Sequence, residues 1–341
     1  MKIITSTLFA MFLLAASSYG QMTGYGQVNV PGKQFLYVMD SSGRGFFRID
    51  TTDGTVTKIS DLAGQHFDWD SKGNLYTSGG HVTRISPDGK ITPFIKFDNS
   101  WSIAIDSHDN LYTAENNKHD RTYKVQLSKI TDDMLPITVT HPKDASGKVD
   151  LDAEPDIKPA GAMIVMQNNV SDAYSFWCDA WDNCYFTQNG KNIIWKYSPE
   201  GKVSKFGLAA IWARAGCPDA NGEFYHLGGE IVKVATNGQR IGMFAPATDM
   251  DHPFAIDLDA QGNLYESTPT YFKAVRGVTK CDATGTPLDV KLRGLIYKYT
   301  PDGERSVIYC GASPFGIRIF PKNKYPTSKP AESHFEDMQT K

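Results

Sequence analysis

Apolar positions along this chain alternate over short stretches, separated by clusters of Gly, Pro, Asp and Asn, and no long 3.6-residue period appears. That pattern predicts short β-strands joined by tight turns. One phrase recurs: an apolar stretch, an Asp, a turn, then Asn or Glu, an apolar residue and an aromatic. It reads FDWDSKGNLY at 67–76, AIDSHDNLY at 104–112, WCDAWDNCY at 177–185, CPDANGEFY at 217–225 and DLDAQGNLY at 257–265. Its anchoring acids are Asp70, Asp106, Asp179, Asp219 and Asp259. Each copy alternates around a turn, as a hairpin does, and the Asp is expected to accept turn N–H groups.

A second phrase follows each first one and counts the units better. It is a strand with a cation near its end, an apolar residue and a turn: FFRIDTTDG, VTRISPDG, LSKITDDM, IWKYSPEG, IVKVATNG and IYKYTPDG. Arg48, Arg84, Lys129, Lys196, Lys233 and Lys298 hold the same slot. Six copies of a four-strand unit predict an all-β, six-bladed propeller. The first phrase is missing at the N-terminus, and PFGIRIFPKN (314–323) fits the vacancy. Unit 1 is therefore expected to be closed by the strands at both ends of the propeller, leaving no free sheet edge there.

These phrases resemble NHL repeats and, more broadly, the SMP-30/gluconolactonase-like six-bladed propellers, over roughly residues 34 to 323. The resemblance implies the fold; function is not implied, because such propellers include lactonases, lyases, synthases and pure binding domains. In the SMP-30 family, acidic and amide residues five positions before the repeat Asp hold a divalent metal. Here those positions are Gln65, Trp101, Tyr174, Arg214, Phe254 and Phe315, without one carboxylate, so that metal site is not expected. Amidating-lyase propellers bind zinc through channel histidines. His66 and His252 lie near that height, but a third ligand is lacking. Metal: none expected.

The same positions predict an aromatic channel mouth. Gln65, His66, Trp101, Tyr174, Arg214, His252, Phe254 and Phe315 are the candidate ligand-binding residues, Arg214 suiting an anion. The competing reading is that these aromatics plug the channel and that Arg214 pairs with Asp249 or Asp251. Two insertions, 141–172 in unit 3 and 267–294 in unit 6, are expected as long top-face loops on opposite sides of that mouth. In the first, Asp150, Asp152, Glu154 and Asp156 alternate. They form either a solvated acidic run or, as the one cofactor left open, a Ca²⁺ loop at 150–156, although the Gly of an EF-hand turn is missing.

Composition narrows the partners. The 341 residues carry 35 Lys+Arg and 38 Asp+Glu, a formal net charge of -3, which excludes a phosphate-dominated nucleic-acid binder. Residues 1–20 read as a signal peptide: Lys2, an apolar run LFAMFLLAA, and small residues at Ser18 and Gly20. The run is too short for a transmembrane anchor, and no later segment qualifies. The expected organisation is signal peptide 1–20, N-terminal extension 21–33, propeller 34–323 and a flexible C-terminal tail 324–341, secreted or periplasmic.

Five cysteines cannot all pair within the chain. Cys178 and Cys184 flank one hairpin turn, and Cβ atoms so placed lie roughly 4.5–5.5 Å apart, so both a strained bridge and a pair of core thiols are open. Cys281 and Cys310 are the next candidates, leaving Cys217 alone. The function expected is binding of a small molecule, glycan or protein at the top face. The alternative is a hydrolase or lyase, lactonase-like, working on a small substrate at the same place.

Overall fold

The computed structural model describes residues 21–22, 25–41, 45–115, 121–150, 152–167, 170, 173–188, 191–208, 215–219, 221–228, 230–245, 254–269, 294–311 and 313–322. Residues 1–20, expected as a signal peptide, the residues beyond 322 expected as a C-terminal tail, and most of the expected 267–294 insertion lie outside them. No helix among the described residues is long and apolar enough to cross a membrane.

The described residues form an all-β propeller. Six innermost strands ring a central channel: Pro314–Phe320, Phe67–Trp69, Ile103–Ile105, Ala173–Cys178, Ala215–Pro218 and Ala255–Leu258. Each begins a sheet whose first four strands run antiparallel and lie successively further from the axis. In unit 1, Pro314–Phe320 pairs with Phe35–Asp40, with Ile317 opposite Val38 and Ile319 opposite Leu36. Gly45–Asp50 and Val56–Ser60 follow outward. Residues from the two ends of the described propeller thus share one ladder, which satisfies backbone groups that a free edge would leave to solvent.

Six equivalent four-stranded blades were expected, and the structure corrects this. Five sheets are four-stranded blades, while the sheet of unit 2 has six strands. Beyond Phe67–Trp69, Leu75–Thr77, Gly80–Ile85 and Ile91–Ser100 it carries Ile137–Thr140 and Asp156–Lys158. Ile137–Thr140 lies parallel to Ile91–Ser100, with Ile137 opposite Ile95. The physical reason is an edge: the outer strand of unit 2 offers unpaired backbone groups. The segment after Met134 covers it, seating Ile137 in the core shared with Phe94 and Ile95. Ile164–Gln167 then takes the outer place in unit 3. The 141–172 insertion is accordingly part strand, and it does not fit the expectation of one long irregular top-face loop.

Apolar clusters fill the spaces between neighbouring sheets. Between units 2 and 3, Tyr76, Val82 and Phe94 meet Ile103, Leu111 and Tyr123. Between units 4 and 5, Trp177, Tyr185 and Phe206 meet Phe224 and Val232. Each such large side chain, fully buried, contributes about 1.5–3 kcal/mol. Serines link sheet to sheet. Ser78 Oγ accepts the His66 N–H (3.2 Å) and donates to Trp101 O in the next unit (2.9 Å). Ser267 Oγ repeats this, accepting from Ala255 and donating to Phe315 O at 2.7 Å.

Candidate functional site

The recurring Asp builds one end of the channel. Asp106 Oδ1 accepts the N–H groups of His108 (3.0 Å) and Asn110 (2.8 Å). Its Oδ2 accepts Asn110 Nδ2 (2.7 Å) and the Tyr112 hydroxyl (2.9 Å). Asp70, Asp179 and Asp259 repeat the arrangement with Tyr76, Tyr185 and Tyr265. Asp219 differs: position +4 is Glu223, and Lys233 bridges both carboxylates at 3.5 and 2.5 Å. The turns also tie neighbouring units together, since Ser107 donates its N–H and hydroxyl to Asp182. These acids are occupied by the fold.

Two residues before each repeat Asp comes the channel wall. That slot holds Asp68, Ala104, Trp177, Cys217 and Asp257, and Arg318 in the closing strand. Each stands opposite a tyrosine on the next strand: Tyr76, Tyr112, Tyr185, Tyr225, Tyr265 and Tyr37. All six line a cavity of about 870 Å³ at this end of the channel. Trp181, Phe320 and Lys322 line it too, as do Gln27 and Asn29 of the N-terminal extension.

Charge in this cavity is unevenly satisfied. Asp68 accepts the N–H of Trp69 (2.9 Å) and of Ile105 in the next unit (2.9 Å), and pairs with Lys322 at 3.1 Å. Asp257 does the same across the next boundary but one, accepting Leu258 N–H (2.9 Å) and Ile319 N–H (2.7 Å). Burial pushes the Asp257 carboxyl above its ordinary range, and Arg318 partly offsets this. Burial also pushes the Cys217 thiol well up. Arg318 has the least: its Nη2 reaches across the channel to Ile103 O (3.4 Å) and Phe176 O (3.5 Å), both long. A guanidinium offers five N–H donors in a rigid fork, so most of its capacity is unspent.

Two indoles wall the same space. Trp177 Nε1 and Trp181 Nε1 are buried without a hydrogen-bond partner, and both residues line the cavity. Trp177 is held by stacking on Tyr185 (centroids 5.8 Å, 14° between planes) and by Gly216, where a Cβ would come within 2.6 Å of the indole ring. A buried donor left unmade costs about 1–3 kcal/mol. Arg318 therefore keeps donors to spare beside a space walled in part by Trp177 and Trp181. The guanidinium fork can take an acceptor group; among the described residues the cavity shows no nucleophile–base pair.

Of the residues expected from the sequence, Gln65, His66, Trp101, Tyr174, Phe254 and Phe315 lie at the other end, where the inner strands begin. Trp101 and Tyr174 meet edge to face (4.6 Å, 90°), as do Phe254 and Phe315 (4.3 Å, 63°). His66 is buried and held neutral, its pKa pushed down to about 3 by burial and then by Arg318. Gln65 is half-buried, with Oε1 unpartnered. Arg214 and His252 lie outside the described residues. The acidic run does not converge: Asp156 sits in an edge strand beside Lys158, and Asp150 accepts the N–H groups of Asp152 and Ala153. Among the described residues the cluster of metal-ligand types close enough to share an ion is Asp106, His108 and Asp182. There the imidazole already contacts Asp182 at 2.9 Å, and both carboxylates hold turns. The root of the 141–172 insertion is fixed by fully buried Arg121, which donates to Ala153 O (2.5 Å) and contacts His141, itself 2.7 Å from Glu115.

Sequence reasoning passed over Asp68, Asp257, Arg318 and Lys322. The signal was present in the repeat alignment, because the slot two before the Asp varies between charged, small and aromatic residues while its flanks stay apolar.

No protein-family model matches the chain, and no curated protein does. Among solved structures, a protein of unknown function from Bacteroides caccae covers 85% of this chain and 100% of its own, at 10% identity and a TM-score of 0.53. A streptogramin B lyase covers 86% and 96% at 13% identity, with a TM-score of 0.48. Virginiamycin B lyase from Staphylococcus aureus covers 82% and 92% at 14% identity, with a TM-score of 0.46. The two lyase likenesses are too loose to bear on activity. Likeness at such identity shows the fold alone, an all-β propeller.

Proposed function

We propose that this protein is an exported binding propeller of the NHL/SMP-30-like kind that holds a small anionic, acceptor-rich molecule in the channel cavity. One observation carries the reading: Arg318, with only two long hydrogen bonds, lines a cavity also walled by Trp177, Trp181 and Phe320. A carboxylate accepts two parallel bonds from a guanidinium fork, and charge-assisted bonds of this kind are roughly twice as strong as neutral ones. The surrounding indole and phenyl faces suit an apolar body attached to that carboxylate. Glycan or protein binding at the opposite mouth has less support, because its described aromatics are packed against one another. A hydrolase or lyase would need a proton-transfer group, and Asp257 is the candidate by its raised pKa. Both of its oxygens already hold backbone N–H groups, which favours a structural role.

The test is thermal-shift titration of the purified full chain with a panel of small aliphatic and aromatic carboxylates, beside an Arg318→Met variant. The wild type should gain several degrees with at least one carboxylate. The variant should lose affinity at least tenfold while remaining folded, since Arg318 is only half-buried and makes two long hydrogen bonds. If Arg318→Met binds equally well, or unfolds, the reading is wrong.

A further inference from the structure

Cys178 and Cys184 are register partners across the first hairpin of unit 4. The next rung toward the turn is hydrogen-bonded, Asp179 donating its N–H to Asn183 O at 3.0 Å. The cysteines therefore occupy a non-hydrogen-bonded rung, the kind in which side chains stand closest. Backbones at such a rung lie about 4.5 Å apart, inside the span of roughly 4.4–6.8 Å that disulfides bridge. The Cβ atoms, at roughly 4.5–5.5 Å, must lean together slightly to reach the disulfide range, so the bond would form under strain. Strained disulfides are the readily reduced ones. Cys184 is fully buried, whereas Cys178 is half-buried as a residue and lines the channel cavity, so one member of the pair borders the space that a small reagent can enter.

We propose that Cys178 and Cys184 are a reversible redox site, closed by thiol–disulfide exchange with a low-molecular-weight disulfide that enters through the cavity. The Cys178 thiolate attacks one sulfur of the reagent, forming a mixed disulfide and expelling one thiolate. The Cys184 sulfur then attacks Cys178, the mixed disulfide breaks, and a second thiolate leaves. The protons of the two cysteine thiols pass to the two expelled thiolates. Two cysteines are thus oxidised and one small disulfide is reduced to two thiols. Burial holds both cysteine pKa values up, Cys184 more so, and contact between the two thiols lowers that of Cys178. That order makes Cys178 the attacking group, with a rate that rises with pH. Cys217 also lines the cavity, but Tyr225 stands opposite it, so its chemistry stops at a mixed disulfide. Anion binding at Arg318 is not needed for any of this.

The experiment equilibrates the folded full chain in glutathione buffers from fully reduced to fully oxidised, traps thiols with acid and alkylation, and maps peptides without reduction. The expected product is a loss of two hydrogens confined to the peptide holding Cys178 and Cys184, fully reversed by reduced glutathione, and formed faster at pH 8.5 than at pH 7. Cys184→Ser should stop at glutathione on Cys178, which keeps the test valid even if Cys178 variants fold poorly. The proposal is overturned if both thiols stay alkylatable in oxidised glutathione, if wild-type Cys178 stops at the mixed disulfide, or if the bridge contains Cys217.

Discussion

Glu266 is the most exposed test of the electrostatics read from this fold, because the group itself is almost entirely enclosed. It stands on the second strand of unit 6, 1% exposed, and accepts the Tyr299 hydroxyl at 2.6 Å. Burial raises its pKa from 4.5 to about 7, and the Tyr299 bond and nearby Arg305 hold it back from rising further. A carboxyl whose folded pKa lies above its unfolded value favours the fold while protonated. Its contribution is complete below about pH 4.5 and is lost as pH rises to about 7. Each pH unit of that gap corresponds to about 1.4 kcal/mol, so the wild type should be about 3 kcal/mol less stable at pH 8 than it would be with a neutral group. Glu266→Gln supplies one: its carbonyl still accepts the Tyr299 hydroxyl, and nothing charged is desolvated. For a chain of this size about 1 kcal/mol moves the midpoint by roughly 2 °C, so the variant should melt about 6 °C above wild type at pH 8. At pH 5 most of that difference should vanish. Differential scanning calorimetry across pH 5 to 8 decides it. Parallel melting curves, or a variant less stable at pH 8, would show that the carboxylate is stabilised as an ion by Arg305 and that burial is not the governing effect.

Two further outcomes follow from the packing between units 4 and 5. His226 is buried with Nε2 unpartnered, and burial pushes its pKa down to about 4, so folding refuses a proton that the unfolded chain takes up below about pH 6.5. Phe186 fills the equivalent slot in unit 4, and His226→Phe should therefore gain about 2 kcal/mol at pH 5 and little at pH 8 in urea unfolding; an equal gain at both values would point to packing instead. Gly216→Ala places a Cβ within 2.6 Å of the Trp177 ring, which should cost about 1–3 kcal/mol and shift the indole emission; unchanged stability and emission would mean that the ring is not pinned there.

Local chemistry was legible without coordinates. An Asp followed four residues later by Asn and six later by Tyr specifies its own turn, because every donor that Asp106 satisfies lies within those six residues. The alternation of Ile317 and Ile319 around Arg318 likewise marks a strand, and the missing first phrase says where it belongs. What depended on the tertiary structure is whatever required two distant segments to compete for one edge or one space. Ile137–Thr140 has the composition to finish unit 3, yet it pairs with Ile91–Ser100, since an unsatisfied outer edge in the neighbouring sheet outweighs sequence order. The candidate site follows the same logic. Asp68, Asp257 and Lys322 are as polar in the sequence as Arg318, and only their neighbours distinguish them. Backbone N–H groups from adjoining units neutralise the two carboxylates, Asp68 holds Lys322, and Arg318 alone of the four keeps donors to spare. Charge is a property of the residue; whether it is satisfied is decided across the channel.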